Sequence, residues 1–531
     1  MVKLLSVPSI NLGAIDAVSY KTREEKEFIS KILYKEKYLD EILEPKKYFV
    51  IGEKGTGKTS YAVFLNNNDY DGNISRITAL SATDYRRFLE LKKVGKFDIS
   101  SYVDIWKVIL LLLVADGVRE KFKPSAFRST SFRSLSDAVS EYYHSAFRPE
   151  VEQSLNFVQN SELAAKILTK HLHAGASKNS GLEAEFPSFQ INLAYLEKKF
   201  KDAIGSVNID RNFILFIDSI DIRPDQIDYP SYIECIQGLA NAAWDLNTEF
   251  FSNIKGSHGN IKIVLLMRPD ILDNMGFQNL NAKVIDNGVV LDWKTTYSNF
   301  KTSAVFSLVS GIMAKQQDVG HLTNYGVWRE YFPFDLEHLR VSEQLDDPFV
   351  GLLRYSFYRP RDIVQYLKLM QNYVRDHEKN RQSFSRESFY AVQGEFSDYL
   401  LGEVRDYIKF YHSTASFEEL VGFFAMFGGR NSFTWDEFRA AHAKYKDTLR
   451  GKNITIHELE GTSEEFLQFI YSLNMVGYAE PDQKGGYFVH YCFRDRTTSK
   501  LRPKVKYGLG YRVHSGLQRA LLVGGTGRTT R

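Results

Sequence analysis

A chain of 531 residues, 44% hydrophobic and 14% aromatic with a net charge of +3, has room for about two to four domains and excludes a disordered polymer. Its two cysteines, Cys235 and Cys492, exclude a disulfide framework and fit a reducing compartment. The longest apolar run, residues 108–115, falls short of the ~18 residues a membrane helix needs, and Pro8 and Asn11 break up the N-terminus as a signal sequence. The expectation is therefore a soluble, cytoplasmic protein with no membrane partner.

Residues 1–45 read as an N-terminal helical segment, charged over about 20–45 and interrupted by Pro45. Tyr48-Phe49-Val50-Ile51 then reads as a buried strand. Gly52-Glu53-Lys54-Gly55-Thr56-Gly57-Lys58-Thr59 follows, and Ser60-Tyr61-Ala62-Val63-Phe64-Leu65 reads as a helix stopped by three asparagines. Strand, glycine-rich turn and helix is the context of a phosphate-binding P-loop. The glycines let the backbone curl so that N–H groups converge on phosphate oxygens, and the helix aims its positive end at the same anion. Lys58 supplies a charge for the β- and γ-phosphates, and Thr59 offers its hydroxyl to Mg²⁺. Residues 52–60 are thus the candidate cradle for ATP. No Asn-Lys-x-Asp motif argues for GTP.

Asn212-Phe213-Ile214-Leu215-Phe216-Ile217-Asp218 is an apolar strand ending in a carboxylate, and strand C-termini gather at the nucleotide edge of a doubly wound parallel sheet. Asp218 is the expected second metal-holding residue. Asp221 follows, either to orient the attacking water or to cap the next helix. A third strand, Ile261-Lys262-Ile263-Val264-Leu265-Leu266-Met267, ends at Arg268-Pro269, where a guanidinium is placed to sense a γ-phosphate. Val289-Val290-Leu291-Asp292-Trp293 reads as one more strand, and residues 74–80 as another. The fold class is α/β, a P-loop core over 46–300 with a helical insertion at about 85–205.

These motifs together resemble the STAND branch of AAA+-like ATPases, whose members show an apolar strand, Asp, a small residue, an apolar residue and Asp, then a sensor strand ending in Arg. Tyr358-Arg359-Pro360-Arg361-Asp362-Ile363 resembles the arginine-containing turn that opens a helix in the small lid domain of such ATPases. The resemblance covers about 45–375, implies a helical lid at 301–384, and makes Arg359 or Arg361 a second sensor. The competing reading of this turn is a surface helix start with Asp362 in its first turn. The chain departs from the pattern at Ile222, where many relatives carry an acid, and no Glu follows Asp218, as it does in ordinary AAA+ proteins. Slow, switch-like hydrolysis is the implied behaviour.

Residues 385–498 read as a separate α+β module. Ser416-Phe417-Glu418-Glu419, Thr434-Trp435-Asp436-Glu437 and Thr462-Ser463-Glu464-Glu465 are capping-box patterns, and a hairpin follows across residues 482–486. Three helices and a hairpin resemble a winged helix, although the third helix carries Glu464 and Glu465 and no Lys or Arg, which suits a partner interface better than a DNA major groove. From residue 494 onward ten Lys/Arg face the single acid Asp495, so residues 499–531 read as a basic tail. Residues 119–133 form a second basic stretch. His514 has no carboxylate or thiol beside it in sequence and reads as structural rather than catalytic.

The expected function is a nucleotide-driven switch or assembly platform, an ATPase that forms a homo-oligomer and works with a protein effector or partner subunit in prokaryotic antiviral defence. The alternative is a nucleic-acid-handling ATPase of the origin-recognition or transposition type, binding DNA through its winged helix and basic tail.

Overall fold

All five runs read as core strands contribute to one sheet. A computed structural model describes residues 4–80, 99–122, 130–143, 185–224, 227–276, 279–336, 346–378, 381–481, 486–497 and 499–524. Phe49–Ile51 (β1), Asn73–Ala79 (β2), Asn212–Asp218 (β3), Ile261–Met267 (β4) and Gly288–Val290 (β5) form a five-stranded sheet in the order β2-β3-β4-β1-β5. The β2–β3, β3–β4 and β4–β1 pairs are parallel. β3 and β4 are buried along almost their whole length, as strands covered on both faces must be. The run at 289–293 is a strand only as far as Val290.

Register fixes which residues reach the sheet's carboxyl edge. Ile51 pairs with Met267, and Leu265 with Ile217. β1, β4 and β3 therefore end together, and the next residues in the chain are Gly52, Arg268 and, at the end of β3 itself, Asp218. The chain leaves β1 for the distant edge strand β2, yet leaves β4 for β5 on the opposite edge. Connections that diverge from adjacent strands open a crevice outside the carboxyl ends.

Contacts divide the chain into two units, one of residues 39–51 and 61–289 and one of residues 1–38, 52–60 and 290–531. In the sheet-bearing unit the helix Ile99–Lys121 is buried almost all round and packs on the helices Glu185–Gly205 and Tyr229–Asp245. That burial accounts for the apolar run at 108–115, and no helix among the described residues is long and apolar enough to cross a membrane. Asp116 takes salt bridges from Arg76 at 2.6 Å and Arg119 at 2.8 Å, which neutralises part of the basic stretch. Lys123 and Arg128, like all of 144–184, lie outside the described residues.

In the other unit the first 38 residues do not stand apart as an N-terminal segment. Val7, Ile10 and Leu12 are buried, and Gln371 Nε2 donates to the carbonyls of Val7 and Ile10 at 2.8 and 2.7 Å. The helices Ala304–Ala314, Asn324–Tyr331 and Pro348–Tyr355 share an aromatic core of Phe306, Trp328 and Phe349. The helix Pro360–His377 follows, then Gln393–Tyr411.

The last module has the helices Phe417–Gly422, Trp435–Leu449 and Ser463–Ser472 and a four-stranded antiparallel sheet. Its strands are Ser432–Thr434 (β6), Val476–Pro481 (β7), Tyr487–His490 (β8) and Gly510–Val513 (β9), in the order β6-β9-β7-β8. Thr434 and Thr462 close capping boxes with Glu437 and Glu465. Ser416 does not: its Oγ accepts from Thr455 N at 2.8 Å instead, and the helix after it is one short turn and a half.

Residues 499–524 are not a tail. β9 pairs on both sides, with β6 and β7, and Leu501, Val505, Tyr511, Val513, Leu517 and Leu521 are buried. The boundary expected at 498/499 falls inside the module because apolar residues alternate with the charges there and supply a face to bury. Gly516 comes so close to the Tyr355 carbonyl that a Cβ would lie 2.0 Å from it. Residues 525–531 lie outside the described residues.

Candidate functional site

The 52–59 loop leaves the end of β1, and its shape depends on glycine at three places. Gly55 and Gly57 have φ of +87° and +95°, which side chains with a Cβ rarely adopt. A Cβ on Gly52 would lie 2.3 Å from Thr56 Oγ1. The curl is pinned by Thr56, whose Oγ1 donates to Glu53 O at 2.8 Å, and by Trp293, whose indole N–H donates to Thr56 O at 2.9 Å. The helix Lys58–Asn67 starts at the end of this curl. Lys58 is buried, and its Nζ folds back to donate to Gly52 O at 2.8 Å and Glu53 O at 3.1 Å. The ammonium is thus held over the concave side of the turn by carbonyls that an incoming anion can replace. A loop of this shape, in which added Cβ atoms have no room, suits phosphate oxygens, so the residues at hand fit a nucleotide.

The turn before the helix Pro360–His377 meets this loop in the same unit. Tyr358 has φ +60°, strained for a residue with a bulky side chain. Arg359 Nη1 donates to Lys54 O at 3.0 Å, and Arg361 N donates to Gly55 O at 3.3 Å. The two arginines differ sharply. Arg359 is buried, and its Nε and Nη2 donate to the two carboxylate oxygens of Asp362 at 2.9 and 2.7 Å. Burial opposes its charge, but Asp362 outweighs that and holds the guanidinium above its ordinary range. Arg361 lies along Gly55, 3.0 Å from where a Cβ would stand, and among the described residues its charge partner is Glu403, 3.9 Å away. Of the two expected sensors, Arg359 is committed and Arg361 is available.

The long side chains of the loop itself are also engaged. Glu53 is ion-paired with Arg496, and Lys54 with Glu403 at 3.3 Å and Asp406 at 2.6 Å. Glu403, Asp406, Trp293 and Arg496 carry no motif. Only Asp362, three residues after Arg359 at a helix start, had a local signal.

In the sheet-bearing unit, Asp218 is buried at the carboxyl end of β3. Ser219 after it has φ +64°, a strained turn of the kind found at functional strand ends. Asp221 does not cap the next helix: Asp228 does, accepting from Ser231 N at 2.9 Å. Arg268 is buried, with Nε and Nη2 on the two carboxylate oxygens of Asp270 at 3.0 and 2.5 Å. Sensing a phosphate would require Arg268 to exchange that partner, which its position at a strand end did not suggest.

His514 is buried against Phe357 and Tyr491, and its Nδ1 accepts from Gly516 N at 3.2 Å. Burial, then the nearby Arg494, pushes its imidazole down to about 3. Neutral and enclosed, it packs the module against the Phe357 turn.

Among the described residues no group of three or more His, Cys, Asp and Glu side chains gathers as a metal site. No protein-family model matches the chain, and a search of curated proteins gives no match.

Proposed function

We propose that this chain is a P-loop protein that binds and slowly hydrolyses ATP and acts as a nucleotide-driven switch or assembly platform. The observation that carries the reading is the loop at 52–59: two glycines at positive φ, a third with no room for a Cβ, and Lys58 folded over the concave side. Backbone N–H groups of 53–60 would hold the β- and γ-phosphates with Lys58. Thr59 and Asp218 are the residues that would hold Mg²⁺, which would supply positive charge to offset that of the phosphates. Asp221 would orient water. Arg361, rather than Arg359, would reach the terminal phosphate.

The likeness of these motifs to STAND-type and AAA+-like ATPases supports a role in antiviral defence, with homo-oligomerisation on ATP and a separate effector or partner chain. The acidic third helix of the winged-helix-like module favours a protein partner. Lys58→Ala tests the reading: it should abolish ATP turnover, by a hundredfold or more on the order of a lost charge contact to a reacting phosphate, with an unchanged circular dichroism spectrum. Undiminished turnover in that variant sinks it.

One observation favours the alternative, a nucleic-acid-handling ATPase. Between residues 500 and 506 the cations Lys500, Arg502, Lys504 and Lys506 are exposed while Leu501, Pro503 and Val505 are buried, which sets the charges along one side of an extended segment. Turnover measured with and without DNA and RNA decides between the two.

A further inference from the structure

We infer that Arg496 is a positioning residue for the phosphate loop, pairing with the Glu53 carboxylate and balancing its charge so that nucleotide binding depends on the seating of the turn after β8. The inference rests on the P-loop reading above.

Only two residues of the loop between Gly52 and Lys58 have long charged side chains, Glu53 and Lys54, and both are taken by residues more than 340 positions further on. Glu53 is the consequential one. Its carboxylate belongs to a loop whose N–H groups and Lys58 are arranged to receive a multiply charged anion, so an uncompensated charge there repels the ligand. Arg496 balances that charge with its own, and further contacts hold it in place. Its side chain is only 11% exposed, its Nε donates to Leu501 O at 2.8 Å, and Lys294 Nζ donates to its carbonyl.

The short helix Cys492–Asp495 that delivers Arg496 is seated on the turn that also touches the loop. Phe493 packs on Phe357 and Tyr358 with ring centroids 5.7 and 5.2 Å apart. Arg494 lies over the Tyr358 ring at 4.8 Å and donates to its hydroxyl. Unseating the turn withdraws Arg496 and leaves Glu53 as a bare anion beside the phosphate cradle. By linkage, bound nucleotide holds the turn down as strongly as the turn favours the nucleotide. A partner that lifts the module off Tyr358 would thereby release nucleotide.

The sign of four variants tests this, read as the affinity of the full-length chain for ADP and for a non-hydrolysable ATP analogue by calorimetry. Arg496→Gln should weaken both on the order of tenfold. Glu53→Gln should tighten both, because it leaves Arg496 as an uncompensated cation at the loop. The double variant Glu53→Gln/Arg496→Gln should recover most of what Arg496→Gln loses, and the exchanged pair Glu53→Arg/Arg496→Glu should bind better than Arg496→Gln alone. A merely structural pair predicts the opposite order, with Glu53→Gln weakening and the double variant no better than the single. That order, or wild-type affinity in a folded Arg496→Gln, overturns the inference. If Arg496→Gln does not fold, the sign of Glu53→Gln alone decides. Absence of nucleotide binding in the wild type, or undiminished binding in Lys58→Ala, is a different failure: it removes the P-loop reading and this inference with it.

Discussion

Arg359 joins Asp362 to the loop: it donates to both carboxylate oxygens of Asp362 and, through Nη1, to the Lys54 carbonyl 3.0 Å away. Asp362 is fully buried and also accepts from Phe357 N at 3.1 Å. Losing the guanidinium leaves a buried carboxylate without its counter-charge. Arg359→Ala is therefore expected to cost about 3–5 kcal/mol of stability by urea denaturation. Adding Asp362→Asn should return a large part of it. A variant that unfolds like the wild type but loses ATP would make Arg359 a ligand contact instead.

Arg361 should behave the other way. Its guanidinium is partly exposed and lies 3.9 Å from Glu403, so Arg361→Ala should shift stability by no more than about 1 kcal/mol. ATP hydrolysis and ATP-dependent assembly should fall while ADP affinity barely changes, because ADP lacks the γ-phosphate. An equal loss of ADP affinity would place Arg361 on the inner phosphates.

What could be read from sequence was what is local. β1, the loop and its helix follow one another in the chain, and β3 and β4 announce themselves as apolar runs ending in Asp218 and Arg268. The arginine turn at 359–362 was visible as a helix start, but not which arginine is committed, since Asp362 and Glu403 decide that and Glu403 is 44 residues from Arg359. Trp293 read as a strand residue, yet its indole pins the loop carbonyl at Thr56, 237 residues earlier. The 500–513 segment was masked by its own charge: counting Lys and Arg gives a tail, whereas the alternation of Leu501, Pro503 and Val505 with the cations gives a buried edge. Ser416 shows the converse, a capping pattern whose serine has a better partner in Thr455.

His514 gives stability a pH dependence. Its imidazole is held at about 3 in the folded chain by burial, against roughly 6.5 when unfolded. Between those values the unfolded chain binds a proton that the folded one refuses. Stability contributed by the neutral ring is complete above pH 6.5 and is lost as pH falls towards 3, at up to about 1.4 kcal/mol per pH unit. His514→Asn keeps an acceptor for Gly516 N but removes the titrating group. It should be less stable at pH 7 from lost packing on Phe357 and Tyr491, and its urea midpoint should fall less steeply than that of the wild type from pH 6.5 to 4.5. Parallel slopes would mean that the imidazole is protonated in the folded protein.

The basic segment separates the two functional readings, and the fold dictates how to probe it. Deleting residues 500–531 removes β9 from between β6 and β7 together with the buried Val513 and Leu517, so the truncated chain should lose the module and report nothing about binding. Substituting charges is the informative route. Lys506 is paired with Glu480 at 2.6 Å, and Arg512 sits on β9, so the suitable set is Lys500→Gln, Arg502→Gln and Lys504→Gln. These residues are exposed, and the apolar Leu501, Pro503 and Val505 between them stay in place, with Val505 N still donating to Gln468 Oε1 at 3.0 Å. Stability and basal ATPase activity should be unchanged, because neither the loop nor its arginines are altered. If the segment lies along a phosphate backbone, three lost contacts should lower the log–log salt slope of nucleic-acid binding by about 3. If it docks a protein, nucleic-acid affinity is weak and salt-insensitive in wild type and variant alike, and the partner ceases to co-purify. The protein outcome is expected, because Glu464 and Glu465 open the helix that would have to enter the DNA groove. A salt-sensitive DNA complex in the wild type, lost in the triple variant, would establish the nucleic-acid reading in its place.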